Sequence, residues 1–185
     1  MGIVSLGYSL LVVAEAARYQ AWAYRQLEQQ RTARSNSDVP QPGRMQPASF
    51  TDRSVVGRIE IPRIHLSAMI AEGTSGHVLR EAAGHVSGSA LPGQSGNVVI
   101  VAHRDTFFRR LGQLKTGDAI ELTTPDGQYF YRVRNTDIVG PDETWVLKPT
   151  SDQTLTLVTC YPFYYVGAAP QRFVVRAQRL PAPPL

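Results

Sequence analysis

The chain has 185 residues, 43% of them hydrophobic and 18% charged, which suits one domain of ordinary size with a real core, plus an appendage. Its formal charge, 19 − 15 = +4 with histidine neutral, is mild and spread out. The absence of a basic helix interleaved with aromatics argues against a nucleic-acid binder. A single cysteine, Cys160, excludes an intrachain disulfide framework and a multi-thiolate metal site, and leaves the cellular compartment open.

Residues 1–14, MGIVSLGYSLLVVA, are almost wholly apolar, and Glu15 ends the run. As a helix they cover about 21 Å, short of the roughly 30 Å hydrocarbon core of a bilayer. Residues 17–34, rich in alanine, glutamine and arginine without proline or glycine, continue the helix. Three arrangements are open: the distal part of a membrane anchor that starts upstream, a short tilted anchor, or an amphipathic helix packed on the domain. Arginines between Arg18 and Arg34 lie C-terminal to the apolar run. The positive-inside tendency would place them in the cytoplasm, against an external domain. They would also suit contact with an anionic membrane surface. Residues 35–52, with Pro40, Pro42, Gly43 and Pro47, read as a semi-extended linker, which makes 53–185 the folded domain.

Gly57-Arg58-Ile59-Glu60-Ile61 alternates as a strand that Pro62 ends, and 65–70 is a second strand. Residues 74–83 predict a short helix capped by Thr74 or Ser75. Gly84 to Gly96, with four glycines and Pro92, reads as loop. Asn97 to Ala102 is a β-branched run that delivers His103 at a strand end. Phe107 to Leu111 reads as a helical turn. Ala119–Thr123 and Gln128–Ile138 form strands around a Pro125-Asp126-Gly127 hairpin turn. Leu155 to Thr159 is a strand that leads to Cys160, because Pro162 cannot donate to a central ladder. Arg172 opens a last strand, Phe173-Val174-Val175. Short strands with turn signals and few helices indicate an all-β barrel or sandwich.

A lone cysteine is first of all a small buried hydrophobe, and a lone histidine a structural or surface residue. The joint pattern says more: His103, Cys160 and Arg172 each stand at the edge of a predicted strand. TLTLVTC ending at Cys160, with Arg172 twelve residues on, resembles the Thr-Leu-x-Thr-Cys signature of sortases and its downstream arginine. VAHRDTFFRRL over 101–111 resembles the histidine segment of the same family. The text around both looks most like the class D branch, and the resemblance covers about residues 55–180. Ala102 stands where sortases often have glycine.

The resemblance implies a closed eight-stranded β-barrel with one or two short helices, preceded by an N-terminal helix that anchors it to a membrane with the domain outside the cytoplasm. It implies that Cys160 attacks the threonine carbonyl of a Leu-Pro-x-Thr-Gly-like sorting signal, cleaving the Thr–Gly bond. An amine from a cell-wall precursor or a protein then resolves the thioacyl-enzyme. His103 would pair with the thiolate or take its proton, then protonate the departing amine. Arg172 cannot be a base and would bind the substrate backbone or the oxyanion. Arg176, four residues on along the same strand, shares its face and is the rival.

Thr159 and His85 are further candidates for contact with substrate. His65 and His77 read as surface or structural residues, and Asp105 as a salt-bridge partner of Arg104 or Arg109. No cofactor is implied. Glu72, Asp142 and Glu143 could line a calcium site, yet nothing in their spacing demands one. Papain-like enzymes place cysteine before histidine, the reverse of this order, and no Ser-His-Gly-Cys run of an L,D-transpeptidase is present. The rival of another class is a non-catalytic interaction domain on the same fold, with an unreactive Cys160.

Overall fold

The computed structural model describes residues 2–35 and 51–181, with side chains from residue 13 onward in the first segment. The proline-rich stretch read as a linker falls almost entirely on 36–50, outside the described residues. One long helix, α1 (Gly2–Ser35), precedes a closed barrel of β1 (Val55–Ile61), β2 (Leu66–Glu72), β3 (Ala83–His85), β4 (Asn97–Val101), β5 (Ala119–Thr124), β6 (Gly127–Val139), β7 (Thr154–Tyr161) and β8 (Gln171–Arg179). Around the barrel the order is β1-β2-β3-β4-β7-β8-β6-β5. The eight-stranded closed barrel expected from the sequence is thus the fold found.

Alternation sets what faces inward. Ile59, Ile61, Ile70, Val98, Ile100, Leu122, Tyr131, Leu155, Leu157 and Val175 fill the interior, while their odd-one-out neighbours point outward. Two outer faces are also apolar and need covers. Met69 and Ala71 of β2 lie under α1 and the short helix α2 (Gly76–Glu81). Val99, Val158 and Val174, on β4, β7 and β8, lie under Val146 of a 3-10 turn, Thr144–Leu147, in the β6–β7 connection.

Ser75 caps α2 as one of the two residues expected, its Oγ accepting from Val78 N at 3.3 Å. One element departs from the sequence reading: Ala83–His85, divided there between the end of the short helix and the glycine-rich loop, is the strand β3. It pairs parallel with β2 and antiparallel with β4. Gly84 is there for space, since a Cβ on it would stand 2.4 Å from the Gly73 carbonyl oxygen.

The third arrangement foreseen for the N-terminal helix, packing on the domain, is the one seen for its C-terminal half. Tyr19, Ala23 and Leu27, at i, i+4 and i+8, are buried against β2 and α2. Burying Leu27 alone contributes roughly 1.5–3 kcal/mol. The Gln20 side chain receives the Met69 N–H at 2.8 Å and donates to the Glu81 carbonyl at 2.7 Å, filling the pairing edge of β2 where β3 has not yet begun. Arg53 ties the same seam, bonded to Glu81 at 2.8 Å and lying over the Tyr19 ring. Arg34 pairs with Asp126 of the β5–β6 turn. Among the described residues no helix is long and apolar enough to cross a membrane.

Burial inside the barrel pushes the Tyr131 phenol up to about 12, against the opposing pull of the Arg179 guanidinium. A folded value above the unfolded one, near 10, means that the fold favours the neutral phenol. That stabilisation is full below about pH 10 and is lost as pH rises through about 12. Two units correspond to about 3 kcal/mol. The expected result is a denaturation midpoint that falls between about pH 10 and pH 12, with a shallower fall in Tyr131→Phe; equal slopes in the two proteins would refute it.

Candidate active site

The parity that places Leu155 and Leu157 inside places Val158 and Cys160 outside. On β8 the same alternation, with Phe173 and Val175 inside, turns Arg172 and Val174 outward. On β4, Val98 and Ile100 are inside and Val99 and Val101 outside, so His103 continues the outer series. Cys160 and Arg172 therefore belong to the outer face of neighbouring strands, and His103 follows β4 just past its end, at the same end of the barrel.

Register brings them level. Cys160 is the direct cross-strand partner of Arg172 in the antiparallel β7–β8 pair, the closest kind of neighbour that a sheet offers. The β4–β7 pair is parallel, with Val101 beside Val158. Carried two residues past the end of β4, the same offset, 158 − 101 = 57, points His103 toward the level of Cys160. Two bonds carry this alignment past the end of β4: Ala102 N donates to the Val158 carbonyl at 3.3 Å, and Thr159 Oγ1 donates to the Ala102 carbonyl at 2.7 Å. The choice between the two arginines also follows from register. Arg176 pairs with Thr156, four residues down the strand or about 13 Å away, and its guanidinium stacks on Trp145 at 4.7 Å.

Cys160, His103 and Arg172 are all partly exposed. Arg172 Nη1 donates to the carbonyls of Ala169 and Gln171, at 3.1 and 2.9 Å, which folds the β7–β8 loop back on the start of β8. The other wall is the β6–β7 connection. Asn97 holds it down by donating to the carbonyls of Val146 and Lys148, at 3.0 and 3.1 Å, while its own carbonyl accepts from Thr156 Oγ1 at 2.7 Å. A thiol on this floor has an imidazole strand on one side and a permanent cation on the other. That combination suits nucleophilic attack on a carbonyl, with a proton acceptor and an anion binder at hand.

The remaining candidates lie elsewhere. Thr159 is buried with the inward set, and its hydroxyl is spent on Ala102. His85 is buried in the barrel, three residues in from the site end. Its Nδ1 lies 2.6 Å from Glu72 Oε2 and its Nε2 contacts Ser89 Oγ and the Ala90 carbonyl. His65 and His77 are exposed. Among the described residues Asp105 forms no ion pair with Arg104 or Arg109. Arg104 instead donates through Nη2 to the carbonyls of Tyr165 and Gly167, at 2.7 and 3.0 Å, and so binds the histidine segment to the β7–β8 loop. Glu72 is engaged with His85, and Glu143 accepts from Gly140 N. Among the described residues no group of three or more His, Cys, Asp or Glu could hold a metal ion. Sequence reading missed Asn97 and Arg104 as builders of the site. The only local signal was a polar residue at each end of an apolar strand.

The closed eight-stranded barrel thus carries a cysteine and an arginine paired on the outer face of β7 and β8, with a histidine just past the end of β4, the makings of a thiol protein. The chain matches the family model described as Sortase domain over residues 59–180. It is 39% identical to Sortase D of Bacillus subtilis over 125 residues, which is 67% of this chain and 63% of that protein. The chain thus spans somewhat less than two thirds of that relative's length. Among solved structures, a Clostridium perfringens sortase D5 transpeptidase superposes with a TM-score of 0.72 at 23% identity, covering 91% of this chain and 99% of that one. That likeness is one of fold. Sortase C-1 of Actinomyces oris gives a TM-score of 0.64 at 35% identity over 69% of this chain and 75% of its own. The chain belongs to the sortase family, and its likeness to Sortase D agrees with the class D features of its sequence.

Proposed function

We propose that the chain is a cysteine transpeptidase that acts on a Leu-Pro-x-Thr-Gly-like sorting signal. The observation that supports this is the register that pairs Cys160 with Arg172 and runs β4, the strand leading to His103, alongside β7. The Cys160 thiolate attacks the threonine carbonyl, and the C–N bond to glycine breaks. His103 gives its proton to the departing amine. Arg172 binds the substrate backbone or the oxyanion. An incoming amine, from a peptidoglycan precursor or a protein, then displaces the thiol, its proton returning through His103. Thr159 and His85 support this site from behind, Thr159 by tying β7 to Ala102 and His85 by fixing the 86–90 turn.

In this reading residues 1–34 carry the membrane attachment, 35–52 the linker and 53–185 the catalytic barrel, with the barrel outside the cytoplasm. The apolar run 1–14 is what supports attachment.

The test is intact mass of the full chain, held in detergent, after incubation with a panel of Leu-Pro-x-Thr-Gly peptides. A thioacyl adduct should form on the wild type and not on Cys160→Ala, and an added amine should convert it to an amide. No adduct with any peptide, together with slow alkylation of Cys160 at neutral pH, would remove the catalytic reading.

A further inference from the structure

The end of the barrel that carries Cys160 and His103 has a second character. Gln20 of α1 sits by Met69, and Arg34 pairs with Asp126 in the β5–β6 turn. That turn lies at the end of the barrel away from the site, so the N-terminal half of α1 leads toward the site end. There Val13 and Ala16 line a groove of about 490 Å³ together with Arg80, Phe107, Arg109 and Arg110. The three arginines are exposed. Among the described residues none of them pairs with a carboxylate; Arg80 contacts only the His77 ring, at 3.4 Å.

The basic rim runs on into an apolar tip. Gly112 follows the two arginines and lies so close to the Phe163 ring that a Cβ there would stand 2.5 Å from it. Arg104 holds the carbonyls of Tyr165 and Gly167. The β7–β8 loop is thereby fixed beside the arginine segment. It presents Tyr164 at 100%, Val166 at 95% and Tyr165 at 46% exposure. Large apolar side chains held at a loop tip have a function more often than scattered surface ones do.

We propose that this end of the barrel docks on an anionic lipid surface, with Arg80, Arg109 and Arg110 against headgroup phosphates and Tyr164, Tyr165 and Val166 in the interfacial layer. The charged side chains that line the groove are all arginines, which complements anionic headgroups. Tyrosine at a loop tip suits the headgroup level, where an apolar ring and a wet hydroxyl are both satisfied. The surface is also continuous with α1, whose N-terminal residues include the run IVSLGYSLLVV. Docking of this kind holds Cys160 at the bilayer rather than at the end of a tether. It rests on the surface alone and stands apart from the transpeptidase reading.

The experiment is sedimentation of the full chain with vesicles of phosphatidylcholine, with and without phosphatidylglycerol. Anionic vesicles should bind more tightly, and the preference should shrink as salt rises. Each arginine near the surface contributes about a fivefold gain, so R80Q/R109Q/R110Q should lower partitioning to the anionic vesicles by roughly 100-fold. Y164S/V166S should weaken binding to both vesicle types. An unchanged thermal midpoint would show that the variants fold, and thioacylation of the triple variant by a soluble peptide should match wild type. Equal binding to the two compositions, or a triple variant that partitions like wild type, would overturn the proposal and leave the apolar helix alone as the membrane contact.

Discussion

Cys160→Ala should form no thioacyl adduct, and His103→Ala should form it about 10²- to 10⁴-fold more slowly, the usual worth of a positioned proton carrier. The thiol group itself accounts for the first effect, because Cys160 is the only cysteine in the sequence and a thioester needs a thiol. The second follows from placement. Free cysteine has a pKa near 8.5, so only a few per cent is thiolate at neutral pH, and β4, which runs alongside β7, leads to His103. His85 has both nitrogens engaged inside the barrel and cannot take over. The check is single-turnover mass spectrometry across pH. If His103→Ala retains the wild-type rate at neutral pH and changes only above pH 8.5, the assignment of His103 is wrong.

Arg172→Ala should lower the acylation rate by about 10²- to 10³-fold, equivalent to losing one oxyanion donor of about 3 kcal/mol. Arg172→Lys should recover little, since a compact ammonium does not reproduce a planar fork of donors. Arg176→Ala is the control on the same strand and face. Its guanidinium rests on Trp145, and its loss should cost stability rather than rate. Comparing kcat and KM for the three variants checks this. A larger loss of kcat in Arg176→Ala than in Arg172→Ala would exchange their roles.

How far the sequence revealed this depended on whether the information was local. The positions of His103, Cys160 and Arg172 at or near strand ends were legible because each terminates or opens a β-branched run, and a strand end is a local signal. Their mutual level was not legible. The β4–β7 pairing is parallel, and no turn connects the two strands to fix an offset; Asn97 and Thr156 lock it from the side. The rivalry of Arg172 with Arg176 had the same origin, since both share a face and only register separates them. β3 was hidden because Gly84, needed for close approach to Gly73, has the same signature as a loop glycine. The docking of α1 was equally faint. Its buried stripe of Tyr19, Ala23 and Leu27 is set among glutamines and arginines, and Gln20, polar in the sequence, makes the decisive contact.

That contact changes what the N-terminal segment is. By bonding both to Met69 N and to the Glu81 carbonyl, Gln20 behaves as a one-residue surrogate strand that completes a ladder. A chain shortened to begin at the linker would not simply lose a tether. It would leave the Met69 N–H of β2 without its Gln20 partner beside the bared apolar patch of Met69, Ala71, Val78 and Ala82, a surface that favours association with a neighbouring molecule. Removing the helix should therefore raise self-association, which sedimentation velocity of a chain lacking residues 13–35 beside the full chain would detect.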